Sequence, residues 1–107
     1  MSAKKTQTDE VCSAKNYNEL ESTVEFMLSD DYKKRFVAEY NQTKIRYEKL
    51  KRFNNRIEAA NLTKTTGRRV EMPVHDCPDK LLRDQQKIMG EYLHYLEIRA
   101  VIEGIDL

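Results

Sequence analysis

Two histidines, two cysteines, one pair of adjacent aspartates and a run of nine cations are the side chains of this 107-residue chain that could do chemistry. They do not assemble into a reaction. No Ser/His/acid arrangement, Gly-rich phosphate loop, HExxH or CxxC occurs. His94 falls between Tyr92 and Tyr95 in a helical pattern, where an interface or surface role fits better than general-base work. His75, Asp76 and Cys77 could offer metal ligands, but a zinc site takes four and Cys12 is the only other thiol. Asp30-Asp31 stands ahead of an apolar periodicity and reads as a helix cap rather than an acid/base pair. The expectation is a binding protein, not an enzyme, with no metal and no cofactor.

The cations carry more information. The net charge of +1 hides a segregation: residues 1–31 carry −4, residues 32–57 carry +7, and residues 58–107 carry −2. Within the basic stretch Lys33, Lys34, Arg35, Lys44, Arg46, Lys49, Lys51, Arg52 and Arg56 are interleaved with Tyr32, Phe36, Tyr40, Tyr47 and Phe53. Cations pair with phosphates, and aromatic rings or guanidinium planes stack on bases, so an anionic ligand is one reading. The other is a solvated face beside a core stripe, since Phe36, Tyr40, Tyr47 and Leu50 stand at core spacing. Arg99 lies in the apolar run YLEIRAVI, where its guanidinium needs an acid or a ligand anion. Glu103, one turn on, is the ordinary partner.

The elements that must position these residues are helices. A weak apolar pattern predicts a short helix from about Asn18 to Leu28, after a polar N-terminal stretch. Ser29-Asp30-Asp31 then starts a helix without Pro or Gly to about Ala60. Its stripe is Phe36, Tyr40, Thr43, Tyr47, Leu50, Asn54 and Ile57, at alternating steps of four and three. Asn61 to Val74 is a loop broken by Gly67 and Pro73. Asp76 or Cys77 caps the next helix, with Pro78 in its first position and Gly104 as its stop. That helix has two apolar stripes, Leu81-Ile88-Tyr92-Tyr95-Ile102 and Leu82-Met89-Leu93-Leu96-Ala100. A hairpin can cover one of them.

The fold expected is all-α: a long antiparallel helical hairpin over residues 29–107 with an N-terminal arm and short helix over residues 1–28. So small a domain buries a thin core, and the spare stripe calls for the N-terminal segment or another subunit. We expect a homo-oligomer. No apolar run has the length of a membrane span, and MSAKKTQTDE lacks the apolar core of a signal peptide. The expected location is the reducing cytosol.

The segment SDDYKKRFVAEYNQTKIRYEKL, followed by CPDKLLRDQQKIMGEYLHYLEIRAVIEGIDL, resembles small phage proteins that share a helical-hairpin domain. They include the anti-CBASS and anti-Thoeris signal sponges. The resemblance spans about residues 29–107. It rests on CP before the second helix, the Q-x-x-MxxYLxxLExRAxIEGI run and the basic, tyrosine-bearing first helix. It implies an oligomer, commonly a hexamer, that traps cyclic di- or trinucleotides or cyclic ADP-ribose isomers without cleaving them. By resemblance, Tyr17 and Lys33 or Lys34 match a tyrosine and lysine that hold dinucleotides. Arg46 and Arg99 match arginines that hold trinucleotides where subunits meet. A sponge of this kind would act in the cytoplasm of the infected bacterial host.

Two rivals stand beside it. One is a structural or regulatory helical oligomer that binds a protein partner and no nucleotide. The other is a nucleic-acid binder, which suits residues 32–57 but not the acidic remainder. In a sponge the cations should converge on an anionic pocket, whereas in a protein-binding oligomer they should spread into solvent.

Overall fold

A 31-residue stretch free of Pro and Gly, begun by a capping pair, dominates the computed structural model, which describes residues 19–107. Ser29 Oγ accepts the Asp31 amide at 3.0 Å, and Asp31 Oδ1 accepts the Lys33 amide at 2.9 Å. These bonds satisfy first-turn donors that the helix itself leaves open. Before this start lies α1 (Val24–Met27); after it runs α2 (Tyr32–Leu62), and then α3 (Asp79–Glu103). All three are helices, and no strand occurs among the described residues.

The short N-terminal helix is broken where the sequence predicts continuity from Asn18 to Leu28. Residues 19–21 are helical, residues 22–23 turn, and α1 follows. Ser22 Oγ donates to the Glu19 carbonyl at 2.6 Å and Thr23 Oγ1 to the Leu20 carbonyl at 2.7 Å. Two consecutive hydroxyls thus compete with the helical ladder and interrupt it. Thr23 is buried, and Gln42 of α2 donates to its hydroxyl at 2.8 Å, which ties this segment to α2.

α2 and α3 pair antiparallel. Tyr40 donates to Glu97 at 2.6 Å, Tyr92 donates to Glu39, and Asn54 Nδ2 donates to Gln86 Oε1 at 2.9 Å and to the Leu82 carbonyl at 3.1 Å. From Tyr40–Glu97 to Asn54–Gln86 and Asn54–Leu82 the paired numbers fall on α3 as they rise on α2. Burial and the Glu97 bond push the Tyr40 hydroxyl up to about 12. Phe36, Tyr40, Leu93, Leu96, Ala100 and Ile105 form the core, flanked by Val37 and Tyr47. The expected α2 stripe is therefore the buried one. Gly90 admits the Tyr47 ring, since a Cβ there would lie 3.2 Å from it.

Of the two α3 stripes, Leu82-Met89-Leu93-Leu96-Ala100 faces α2. Leu81, Ile88, Tyr92, Tyr95 and Ile102 are exposed, Ile102 at 78%. The described N-terminal segment packs on α2 and leaves this stripe uncovered.

The α3 ends divide between agreement and correction. Pro78, not Asp76 or Cys77, is the N-cap, and Asp79 is the first helical residue. The proline is extended (φ −59°, ψ 146°) and its carbonyl accepts the Leu82 amide at 3.2 Å, so the helix begins one residue late. Gly104 ends it at φ 70°, a conformation that favours glycine. The following Ile105 amide reaches back to the Ala100 carbonyl at 2.8 Å, which drives the Ile105 side chain into the core.

His75 pins the loop to α3. Its Nδ1 lies 2.8 Å from the Pro73 carbonyl and its Nε2 2.8 Å from Asp79 Oδ1, so both ring nitrogens face acceptors. Only the imidazolium donates to both. The Pro73 bond first, and the Asp79 bond after it, hold the His75 pKa above its ordinary value. A raised folded pKa means the contribution is complete below about pH 6.5 and fades as pH climbs through the folded value. Denaturation of wild type and His75→Gln from about pH 5 to about pH 9 should show it: wild type loses stability relative to the variant as pH rises. Parallel curves would contradict the clamp.

Candidate anion-binding site

At the open end of the hairpin, the antiparallel register sets the first turn of α2 beside the last turn of α3. Four side chains meet there. Arg99 Nε donates to Glu103 Oε2 at 3.2 Å, and Arg99 Nη2 donates to the Tyr32 hydroxyl at 2.7 Å. Tyr32 in turn donates to Glu103 Oε1 at 2.8 Å, closing the ring of bonds. Beneath them the guanidinium carbon stands 5.0 Å from the centre of the Phe36 ring. That ring also receives Tyr32 edge-on, with centroids 6.1 Å apart.

The electrostatics follow from these contacts. The Tyr32 hydrogen bond, then Arg99 and the charge of nearby Lys33, hold the Glu103 carboxyl below its usual range. The Glu103 bond pushes Arg99 further up and likewise raises Tyr32. Arg99 is thus permanently cationic, fixed in direction and half-exposed, with 52% of its side chain open to solvent. A guanidinium held by one edge over an aromatic ring presents its other donors to a planar or tetrahedral anion.

The other candidate positions are scattered. Lys33 adjoins Tyr32 in sequence, and its charge acts on Glu103 without a bond between them. Lys34 points the opposite way, its Nζ 5.5 Å from the Phe26 ring of α1. Arg46 is exposed, and among the described residues it has no ion pair. It lies about 20 Å along α2 from Lys33, on the other flank. Tyr17 lies outside the described residues. The structure therefore sets Lys33 within electrostatic range of Glu103, without a bond to it, and places Lys34 and Arg46 elsewhere on α2.

The basic run as a whole does not converge within one chain. At about 100° per residue, Lys33, Lys44 and Lys51 share one flank of α2, Arg35 and Arg46 the other, and Lys34, Lys49, Arg52 and Arg56 its back. A groove of about 340 Å³ between the N-terminal segment and α2 is lined by Lys44 and Arg52 together with Glu19 and Glu48, two cations and two acids. No group of His, Cys, Asp and Glu among the described residues could hold a metal. No described helix is long and apolar enough to cross a membrane.

Sequence reasoning took Arg99 and its partner Glu103 but missed Tyr32. The signal was the register: once Tyr40 is set opposite Glu97, counting eight residues back along α2 and six forward along α3 brings Tyr32 to Glu103.

No curated protein and no solved structure matches the chain. One family model does, the model called Sequestin, over residues 30–102. That span holds Lys33, Lys34, Arg46 and Arg99, stops one residue short of Glu103, and covers both long helices. Because it takes in well over half of the sequence, the chain belongs to the Sequestin family, the phage cyclic-nucleotide sponges that its two helical segments resemble.

Proposed function

We propose that this protein is a phage anti-defence sponge that binds cyclic nucleotide immune messengers and withholds them from the host's effectors without cleaving them. The single observation that carries the reading is the family match across both long helices, which supports a sequestering rather than a catalytic role. The messengers proposed are cyclic di- and trinucleotides, with cyclic ADP-ribose isomers as a secondary candidate. The mechanism is stoichiometric: each messenger held is lost to signalling, so affinity and slow release matter and turnover does not. It would work in the cytoplasm of the infected bacterium.

The site begins at Arg99, with Lys33 near enough for its charge to act on Glu103. Lys34 and Arg46 join it only if further subunits bring them there, and Tyr17, outside the described residues, is a further candidate. The exposed Leu81-Ile88-Tyr92-Tyr95-Ile102 stripe supports that assembly. With Gln85 and Arg99 between them, these residues repeat at steps of four and three, the seam spacing of packed helices. An apolar stripe of this length is unusual on a monomer. We therefore take the active form as a homo-oligomer, a hexamer by the family's habit. Sedimentation showing a folded monomer at micromolar concentration would sink that part.

One observation favours the alternative of a structural or regulatory oligomer that binds a protein: the α2 cations spread around the helix within a single chain. A thermal-shift panel separates the two. Cyclic di-AMP, cyclic tri-AMP or a cyclic ADP-ribose isomer should raise the melting temperature at micromolar concentration, whereas linear AMP should not. No shift with any cyclic compound would favour the protein-binding alternative.

A further inference from the structure

Arg99 is a half-exposed guanidinium at the open end of the hairpin, and the fold has already engaged one edge of it. Its Nε and Nη2 are taken by Glu103 and by the Tyr32 hydroxyl, which is itself bonded to Glu103. A phosphodiester seeking a two-bond contact with the Nε–Nη2 edge of the guanidinium finds that edge held by Glu103 and Tyr32. Glu103 is ionised throughout the neutral range, because Tyr32, Arg99 and Lys33 all favour its charged form.

Resting on the sponge reading above, we propose that Glu103 is an internal competitor for the phosphate, and that binding exchanges the Arg99–Glu103 pair for an Arg99–phosphate pair. Tyr32 is the positioning residue of this exchange. Its hydroxyl touches both partners, and it can donate to a phosphate oxygen once Glu103 lets go. The Phe36 ring stays beneath the guanidinium in either state and keeps it from folding away.

The arrangement has a use. A half-exposed arginine on an apolar stripe would otherwise collect any cellular anion. With Glu103 in place, a ligand with one phosphate gains little over the carboxylate it displaces. A cyclic dinucleotide or trinucleotide, repeating its phosphates around a ring, can displace Glu103 in several subunits at once and sum the gain. Selection against mononucleotides then comes from the competitor rather than from a shaped pocket.

The test measures the affinity of cyclic di-AMP and cyclic tri-AMP, with AMP as control, for wild type, Glu103→Gln, Arg99→Ala and the double variant. Circular dichroism melting confirms that each is folded. Glu103→Gln keeps the shape and removes the charge, so it should bind at least one cyclic compound roughly 10-fold more tightly. It should also bind AMP measurably where wild type does not. In the Arg99→Ala background the same change should give no gain. Unchanged or weaker binding by Glu103→Gln, with Arg99→Ala still defective, would overturn the competitor and leave the sponge reading standing. A gain that persists without Arg99 would mean a general charge effect and would also overturn it. Absence of binding by all four proteins would remove the sponge reading itself, and this inference with it.

Discussion

Asn54→Asp is expected to be the most damaging conservative change in the chain, costing about 3–5 kcal/mol, the range for an uncompensated buried charge. Asn54 is 7% exposed, and both its donor contacts run to acceptors, the Leu82 carbonyl and Gln86 Oε1. An aspartate of the same shape would press an anion against those two oxygens. Small domains have a total stability of about 5–15 kcal/mol, so the variant should lose a large share of it at neutral pH. Acid should restore it, because a protonated carboxyl can donate again. The folded-state pKa of this aspartate would lie above its unfolded value, so the penalty is present at neutral pH and fades as pH falls. Asn54→Leu gives the opposite lesson. The Asn54 Oδ1 is buried with no partner among the described residues. Removing such an orphan relieves about 1–3 kcal/mol, against two lost neutral bonds at about 1 kcal/mol each. Asn54→Leu should therefore melt within a few degrees of wild type. Urea titrations at two pH values decide the matter, and an Asn54→Asp protein as stable as wild type would contradict the register of the hairpin.

Arg99→Ala should have the largest effect on binding and little on the fold. Its partner Glu103 is in reach of solvent, and exposed ion pairs contribute little to stability. Tyr32 retains its bond to Glu103 when the guanidinium is gone. The melting temperature without ligand should therefore barely move. A charge-assisted bond to phosphate changes affinity roughly 10- to 150-fold. In an oligomer the loss recurs at every copy that meets the ligand. The thermal shift given by a cyclic nucleotide should accordingly vanish. A variant that melts well below wild type yet keeps the full shift would make Arg99 a structural residue and cancel its assignment.

Sequence carried the helices well where periodicity was long. The α2 stripe from Phe36 to Ile57, the capping at Ser29 and Asp31, and the Gly104 stop all rest on local rules, and local rules do not depend on the partner. The two α3 stripes were visible too, and the structure decides which faces inward. Where the sequence reading failed, short-range hydrogen bonds decided the outcome. Ser22 and Thr23 turned their hydroxyls onto the preceding carbonyls and broke the N-terminal helix. Pro78 became the cap because its own carbonyl, not the Asp76 side chain, meets the first turn of α3.

The candidate site was less legible for a different reason. Arg99 was conspicuous because a cation in an apolar run is unusual. Tyr32 looked like one more aromatic residue at a helix start, and only the pairing of two distant helix ends gives it a role. The α2 cations were easy to count, but their distribution around the helix dilutes the charge that the count implies. Lys33 comes near Glu103 through tertiary register, whereas Lys34, its sequence neighbour, turns about 100° away and meets Phe26.

The central claim is capture without turnover, and one measurement addresses it directly. The protein, in excess, is incubated with cyclic di-AMP, cyclic tri-AMP or a cyclic ADP-ribose isomer, passed through a filter that retains protein, and heated to release what it holds. Chromatography follows the nucleotide in both fractions. The account predicts that at least one cyclic compound disappears from the filtrate in proportion to the protein added and returns intact on heating. Linear nucleotide appearing during incubation, or every cyclic compound passing freely into the filtrate, would contradict it.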